Sequence, residues 1–95
     1  MVILKLKMYS IYDKQACFYS PPFFAKTDAE AIRIVHDATI YGQESMLRNH
    51  PADFMLCGIG TFDDALGSFD PYSQPTVLLG NFIFKEVLDD GADLQ

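Results

Sequence analysis

The N-terminal stretch alternates. Leu4, Leu6 and Met8 fall on one side of a period-two pattern, and Lys5, Lys7 and Tyr9 fall on the other. That spacing predicts a strand over residues 2–12 with one apolar face and one basic, aromatic face. Asp13-Lys14-Gln15-Ala16 predicts a turn, and residues 17–20 a short partner strand closing a hairpin. Pro21-Pro22 ends that strand, because proline has no N–H to give to a ladder.

The pattern then changes to a helical one. Ala31, Ile34, Val35 and Ala38 recur at i, i+3, i+4 and i+7. Thr27-Asp28-Ala29-Glu30 has capping-box spacing: Thr27 can accept from the N–H of Glu30, and Glu30 can reach back to the N–H of Thr27. Glu30, Arg33 and Asp37 mark the solvent side, and Gly42 is a natural stop. Residues 45–49 suit one further helical turn, which His50-Pro51 breaks.

Alternation returns over residues 54–62. It puts Phe54, Leu56 and Phe62 on one face, together with Gly58 and Gly60, and Met55, Cys57, Ile59 and Thr61 on the other. The two glycines leave a gap through which another backbone can approach. Asp63-Asp64-Ala65-Leu66-Gly67 predicts a hairpin loop with Gly67 left-handed, and residues 68–72 a returning edge strand. Residues 75–88 fit helical and strand templates alike, with Gly80 and the aromatics favouring strand in the second half. The order is therefore β-β-α-β-β-β with an ambiguous last element. It predicts an α+β fold, an antiparallel β-sheet with one main α-helix packed on one face. Residues 1–88 form the single domain, and residues 89–95 an acidic C-terminal tail.

Composition adds constraints. The chain has 95 residues, 49% of them hydrophobic, which suffices for a core and excludes disorder as a class. Its formal net charge is -6. Residues 1–48 hold six of the seven basic side chains against five acids, while the remainder sets Lys85 against eight acids. An acidic chain argues against general coating of nucleic acid, but a mildly basic first half can still meet phosphate. Cys17 and Cys57 read as reduced, buried small hydrophobes, too few for a disulfide framework. No run approaches the ~20 apolar residues of a membrane span. A reducing, intracellular location follows.

Few residues carry candidate chemistry. No Cys or His pair has zinc spacing, the paired acids sit in turns, and Gly58-Ile59-Gly60 lacks the third glycine and following helix of a phosphate loop. Neither an enzyme nor a cofactor nor a metal site is expected. The candidate that remains is the basic, aromatic strand face. Lys5, Lys7 and Tyr9, with Tyr12, Lys14 and Tyr19 nearby, combine cations for phosphates with rings for bases, as single-strand binding requires. Lysine and tyrosine are also ordinary strand residues, used for pairing and for protecting edges. In the last third, Leu78, Leu79, Phe82, Ile83 and Phe84 exceed what a small core easily buries, which predicts an oligomer interface.

Three stretches, Met8 to Asp13, Pro21 to Arg33 and Asn49 to Asp64, together resemble the small nonstructural protein of gokushovirus-type microviruses, which are single-stranded-DNA bacteriophages. The resemblance runs from about Met8 to Tyr72. It implies a non-capsid protein of the host bacterial cytoplasm serving single-stranded genome synthesis or packaging. Its implied partners are single-stranded DNA and phage replication or capsid proteins. The resemblance supplies no catalytic residue. The alternative is a protein–protein interaction module, either a homo-oligomeric scaffold or a host-factor binder, that touches no DNA.

Overall fold

The computed structural model describes residues 5–42 and 45–84. The expected strand start at residues 2–4, the ambiguous residues 85–88 and the acidic tail lie outside them. The fold is α+β. Strands β1 (Lys5–Asp13), β2 (Phe18–Tyr19) and β3 (Phe23–Ala25) precede helices α1 (Asp28–Ile40) and α2 (Ser45–Asn49). A 3-10 turn at Pro51–Asp53 leads into β4 (Phe54–Asp63) and β5 (Ser68–Leu79). They form one 5-stranded sheet, ordered β2-β1-β4-β5, with β3 also on β1, and every pairing is antiparallel.

The expected order needs two corrections. Three residues after Pro21-Pro22 rejoin β1 as β3, a strand too short to show a period. The last element resolves into one long β5 through Pro71 and Pro75, and residues 81–84 have no regular structure. Proline is tolerated there because β5 lies at the edge of the sheet, where a missing donor faces away from any neighbour.

Helix α1 begins as its sequence dictates. Thr27 accepts from the N–H of Glu30 at 3.1 Å, while the Glu30 carboxylate reaches one residue further back than expected and accepts from the N–H of Lys26 at 2.7 Å. Ala31, Val35 and Thr39 are buried, whereas Ile34, expected on the apolar stripe, is exposed. The core joins Ala31 and Val35 to Tyr9, Ala25, Leu47, Phe54, Leu56 and Phe82.

This core lies on the side of β1 that carries Lys7 and Tyr9. Cross-strand partners share a face, so the register extends each face of β1 across the sheet. Tyr9 pairs with Gly58, Ile11 with Leu56 and Asp13 with Phe54 on the helix side. Leu6 pairs with Phe62 and Met8 with Gly60 on the far side. Between Met8 and Tyr9 the partner skips Ile59. The extra residue is a β-bulge, and it reverses the facing of everything after it in β4. Phe62 and Gly60 thus lie opposite Phe54, Leu56 and Gly58, not beside them as simple alternation predicts.

The two hairpins have matching ends. Asp13 Oδ1 accepts from the N–H groups of Gln15 and Ala16, and Asp63 Oδ1 from those of Ala65 and Leu66. Each loop closes on a left-handed residue, Cys17 at φ 64° and Gly67 at φ 66°. Glycine adopts that conformation without penalty, and cysteine does not. Cys17→Gly should stabilise the protein by about 0.5–1 kcal/mol, read as a rise in the urea midpoint at unchanged slope. Cys17 is also exposed, contrary to expectation, while Cys57 is buried and burial raises its thiol pKa.

Candidate functional site

The structure disperses the expected basic, aromatic cluster. Lys5 is exposed and pairs across the sheet with Asp63. Lys7 lies 3.5 Å from Asp28 Oδ1 at the start of α1, in a half-exposed pair worth at most ~1 kcal/mol. Lys14 donates to the carbonyl of Gly80 at 3.0 Å. Tyr9 is only 1% exposed, so its ring is part of the core and cannot stack on a base. Of the six residues, only half-buried Tyr12 and exposed Tyr19 come together at the surface. They are cross-strand partners with ring centroids 4.6 Å apart.

The Tyr9 hydroxyl donates to Asp28 Oδ1 at 2.7 Å. Burial above all, then this bond and the carboxylate charge, push its pKa far above the usual phenol value. The proton is therefore held more tightly in the folded chain than in the unfolded one. Stability is fully present below about pH 10, the ordinary tyrosine value, and is lost as pH rises beyond it. Tyr9→Phe should cost about 1 kcal/mol at neutral pH and flatten the alkaline loss, as chemical denaturation at pH 8 to 11 would record.

The expected oligomer interface is largely internal. Phe82 is 1% exposed and faces Phe54 at 6.1 Å. Leu78, Leu79 and Phe84 pack against the same core, and Ile83 alone is well exposed. The segment folds back because the Phe82 N–H donates to the Pro51 carbonyl at 2.7 Å, beside the Phe54 ring on which Phe82 stacks.

The apolar surplus appears on the far face of the sheet instead. Phe24 on β3, Phe62 on β4 and Phe69 on β5 form a row, with centroids 5.5 and 5.6 Å apart in succession. Phe24 and Phe69 are exposed, and Leu6 and Met8 lie between and beside the rings. By register Ser10, Tyr12, Met55, Cys57 and Val77 continue the same face, but Ser10 and Cys57 are already buried within the chain, so the open part of the face is the aromatic row. No charged side chain of the paired positions points this way. Lys5, Lys7, Asp63 and Asp70 all pair on the helix side. Alternation alone marked Leu6 and Met8 as core-facing. The signal against it is the β3 triplet, whose register puts Phe23 beside Tyr9 and Phe24 beside Met8.

The helix side has a smaller feature. Lys7, Tyr9, Asp28, Gly58, Tyr72, Thr76 and Leu78 line a cavity of about 180 Å³. It opens where β5 leaves regular register between Pro71 and Thr76. Among the described residues no helix is long and apolar enough to cross a membrane.

No curated protein and no solved structure matches the chain. The family model of the Phage ORF5 protein matches residues 6–84, the sheet from the second residue of β1 onward and both helices. The chain therefore belongs to the Phage ORF5 protein family.

Proposed function

We propose that this phage protein is a non-enzymatic accessory factor of single-stranded DNA genome synthesis or packaging in the host cytoplasm, and that it acts by association, pairing with a second copy through the open sheet face. The resemblance to microvirus nonstructural proteins supports the genome role. The uncharged aromatic face carries the mode of action. Binding of DNA draws its affinity from cations placed on phosphates, and the paired positions of this face offer none. Two acidic chains can meet on it without opposing like charges, and stacked sheets bury such faces at about 10 Å separation. Replication or capsid proteins of the phage are then met by the assembled form.

Analytical ultracentrifugation from micromolar to millimolar protein tests this. The expected result is a dimer that Phe69→Asp converts to a monomer with unchanged circular dichroism. A wild-type monomer throughout that range overturns the proposal. Direct contact with single-stranded DNA is the second reading, favoured by the Tyr12–Tyr19 pair beside the Lys14 turn. Fluorescence anisotropy on labelled oligonucleotides should then show weak, salt-sensitive binding that Tyr12→Ala together with Tyr19→Ala abolishes. Binding indifferent to salt and to both tyrosines removes that reading.

A further inference from the structure

A second apolar surface lies on the helix side, apart from the open sheet face. Ile11, Phe18, Ala38, Met46, Leu47 and Phe54 line a groove of about 450 Å³ between the β1–β2 hairpin and the two helices. Phe18 and Met46 are exposed on it. The polar groups on its wall, Asp13 and Ser20, are already engaged. Asp13 Oδ1 accepts from the N–H groups of Gln15 and Ala16. The Ser20 hydroxyl accepts from the Ile11 N–H at 3.0 Å and donates to the Pro21 carbonyl at 3.1 Å. What the groove can still take is an apolar group.

The chain carries such a group at its other end. Leu66, in the β4–β5 turn, is the most exposed large hydrophobic side chain among the described residues, at 77%. The turn is held rigid: Asp63 Oδ1 accepts from the N–H groups of Ala65 and Leu66, and the Asp63 carbonyl from that of Gly67. A Cβ on Gly67 would meet nothing within 4 Å, so the turn stands clear of the rest of the fold. A knob fixed in this way gives up little freedom on docking. Lys5 pairs with Asp63 and Asp13 with Phe54, so knob and groove lie at opposite ends of β1, about 25 Å apart. Leu66 therefore cannot fill the groove of its own copy. Charge is divided in the same sense. Exposed Asp64 stands beside Leu66, while exposed Lys14 and Arg48 follow the groove residues Asp13 and Leu47. Copies meeting end to end bring these opposite charges together. We propose that Leu66 of one copy docks in the helix-side groove of the next, joining copies head to tail. Such a contact leaves a free knob and a free groove at the ends, so it extends as a ring or an open chain. A single leucine makes it transient, weaker than the sheet-face dimer and independent of it.

Paramagnetic relaxation enhancement in nuclear magnetic resonance detects so brief a contact. Phe24→Asp breaks the aromatic row without touching the β4–β5 turn, so the sheet-face dimer is removed from the test and its failure is read separately. One copy carries a nitroxide on exposed Cys17, beside Phe18 of the groove, while buried Cys57 stays unmodified. Mixed at millimolar protein with an isotope-labelled, untagged copy, it should broaden the amides of residues 64–66 in that second copy. Leu66→Asp in the labelled copy should abolish the broadening, and so should Met46→Asp in the tagged copy. Both side chains are exposed, so both variants should keep the parent circular dichroism. Broadening of the groove residues instead would mean that two grooves meet each other, and overturns the proposal. No broadening, which leaves the groove to an apolar segment of another protein, or broadening that survives Leu66→Asp overturns it as well.

Discussion

Phe82→Ala should destabilise the protein by about 3–5 kcal/mol, the usual cost of emptying a buried aromatic site. Phe82 lies in a segment without regular structure, where a substitution would ordinarily be harmless. Yet its ring is 1% exposed, stacks on Phe54 at 6.1 Å and faces Phe84 at 6.3 Å. The chain around it is held by its own N–H on Pro51 and by Lys14 on the Gly80 carbonyl. Those polar bonds place the segment but do not replace the ring, so the cavity left by alanine has no inexpensive way to collapse. Domains of this size have roughly 5–10 kcal/mol in total, so the loss approaches the point of unfolding. Urea denaturation should show it, together with a fall in melting temperature of at least roughly 12 °C. Ile83→Ala, one residue on and 61% exposed, should change stability by less than about 0.5 kcal/mol. A mild effect at Phe82 would mean that the core closes without it.

Helix α1 and both hairpins were legible because their signals are local. A capping box, a stripe of small apolar residues, and an aspartate four residues before a left-handed position each act within one turn of chain. What was hidden depends on the face of the sheet. In β1 the pattern of Leu6 and Met8 against Lys7 and Tyr9 separates two faces correctly but marks the wrong one as inner. Tyr9 can be buried because Asp28, nineteen residues later, supplies a partner for its hydroxyl. That partner is set by tertiary packing, and no rule of alternation contains it. In β4 the bulge at Ile59 leaves the sequence alternation intact while splitting its apolar residues between faces. The candidate site inherits both effects. Tyr9 moved from surface to core, and Phe62 from core to the open face. Lys7 then pairs with Asp28 and Lys14 with the Gly80 carbonyl, and Lys5 stands opposite Asp63 in the register, so no continuous cationic strip forms among the described residues. Tyr12 and Tyr19 survive as a pair because a hairpin register, fixed by the local turn, brings them opposite each other.

Gly60→Ala should be the second severe substitution, and its neighbour two residues earlier is the control. A Cβ at Gly60 would lie 2.8 Å from the Asp70 carbonyl oxygen and 2.9 Å from the Pro71 Cα. Both obstacles are backbone, and the proline ring fixes φ on that side, so the strain cannot be relieved by turning a side chain. Overpacking of this kind costs about 1–3 kcal/mol, and the simplest release is for the first half of β5 to leave β4. At Gly58 the contacts a Cβ would make are ordinary, 3.5 Å and 3.6 Å to the ends of Leu78 and Tyr72. There Gly58→Ala gains from lower unfolded-state entropy and should be neutral or stabilising by up to about 1 kcal/mol. Hydrogen exchange separates the two variants by place as well as size: Gly60→Ala should expose the amides of residues 68–70 while leaving α1 protected. The consequence for association is direct. Gly60 pairs with Pro71 two rungs from the Phe62–Phe69 pair, so lifting β5 also breaks the aromatic row. Gly60→Ala should therefore weaken self-association as well as stability, and Gly58→Ala should leave both in place.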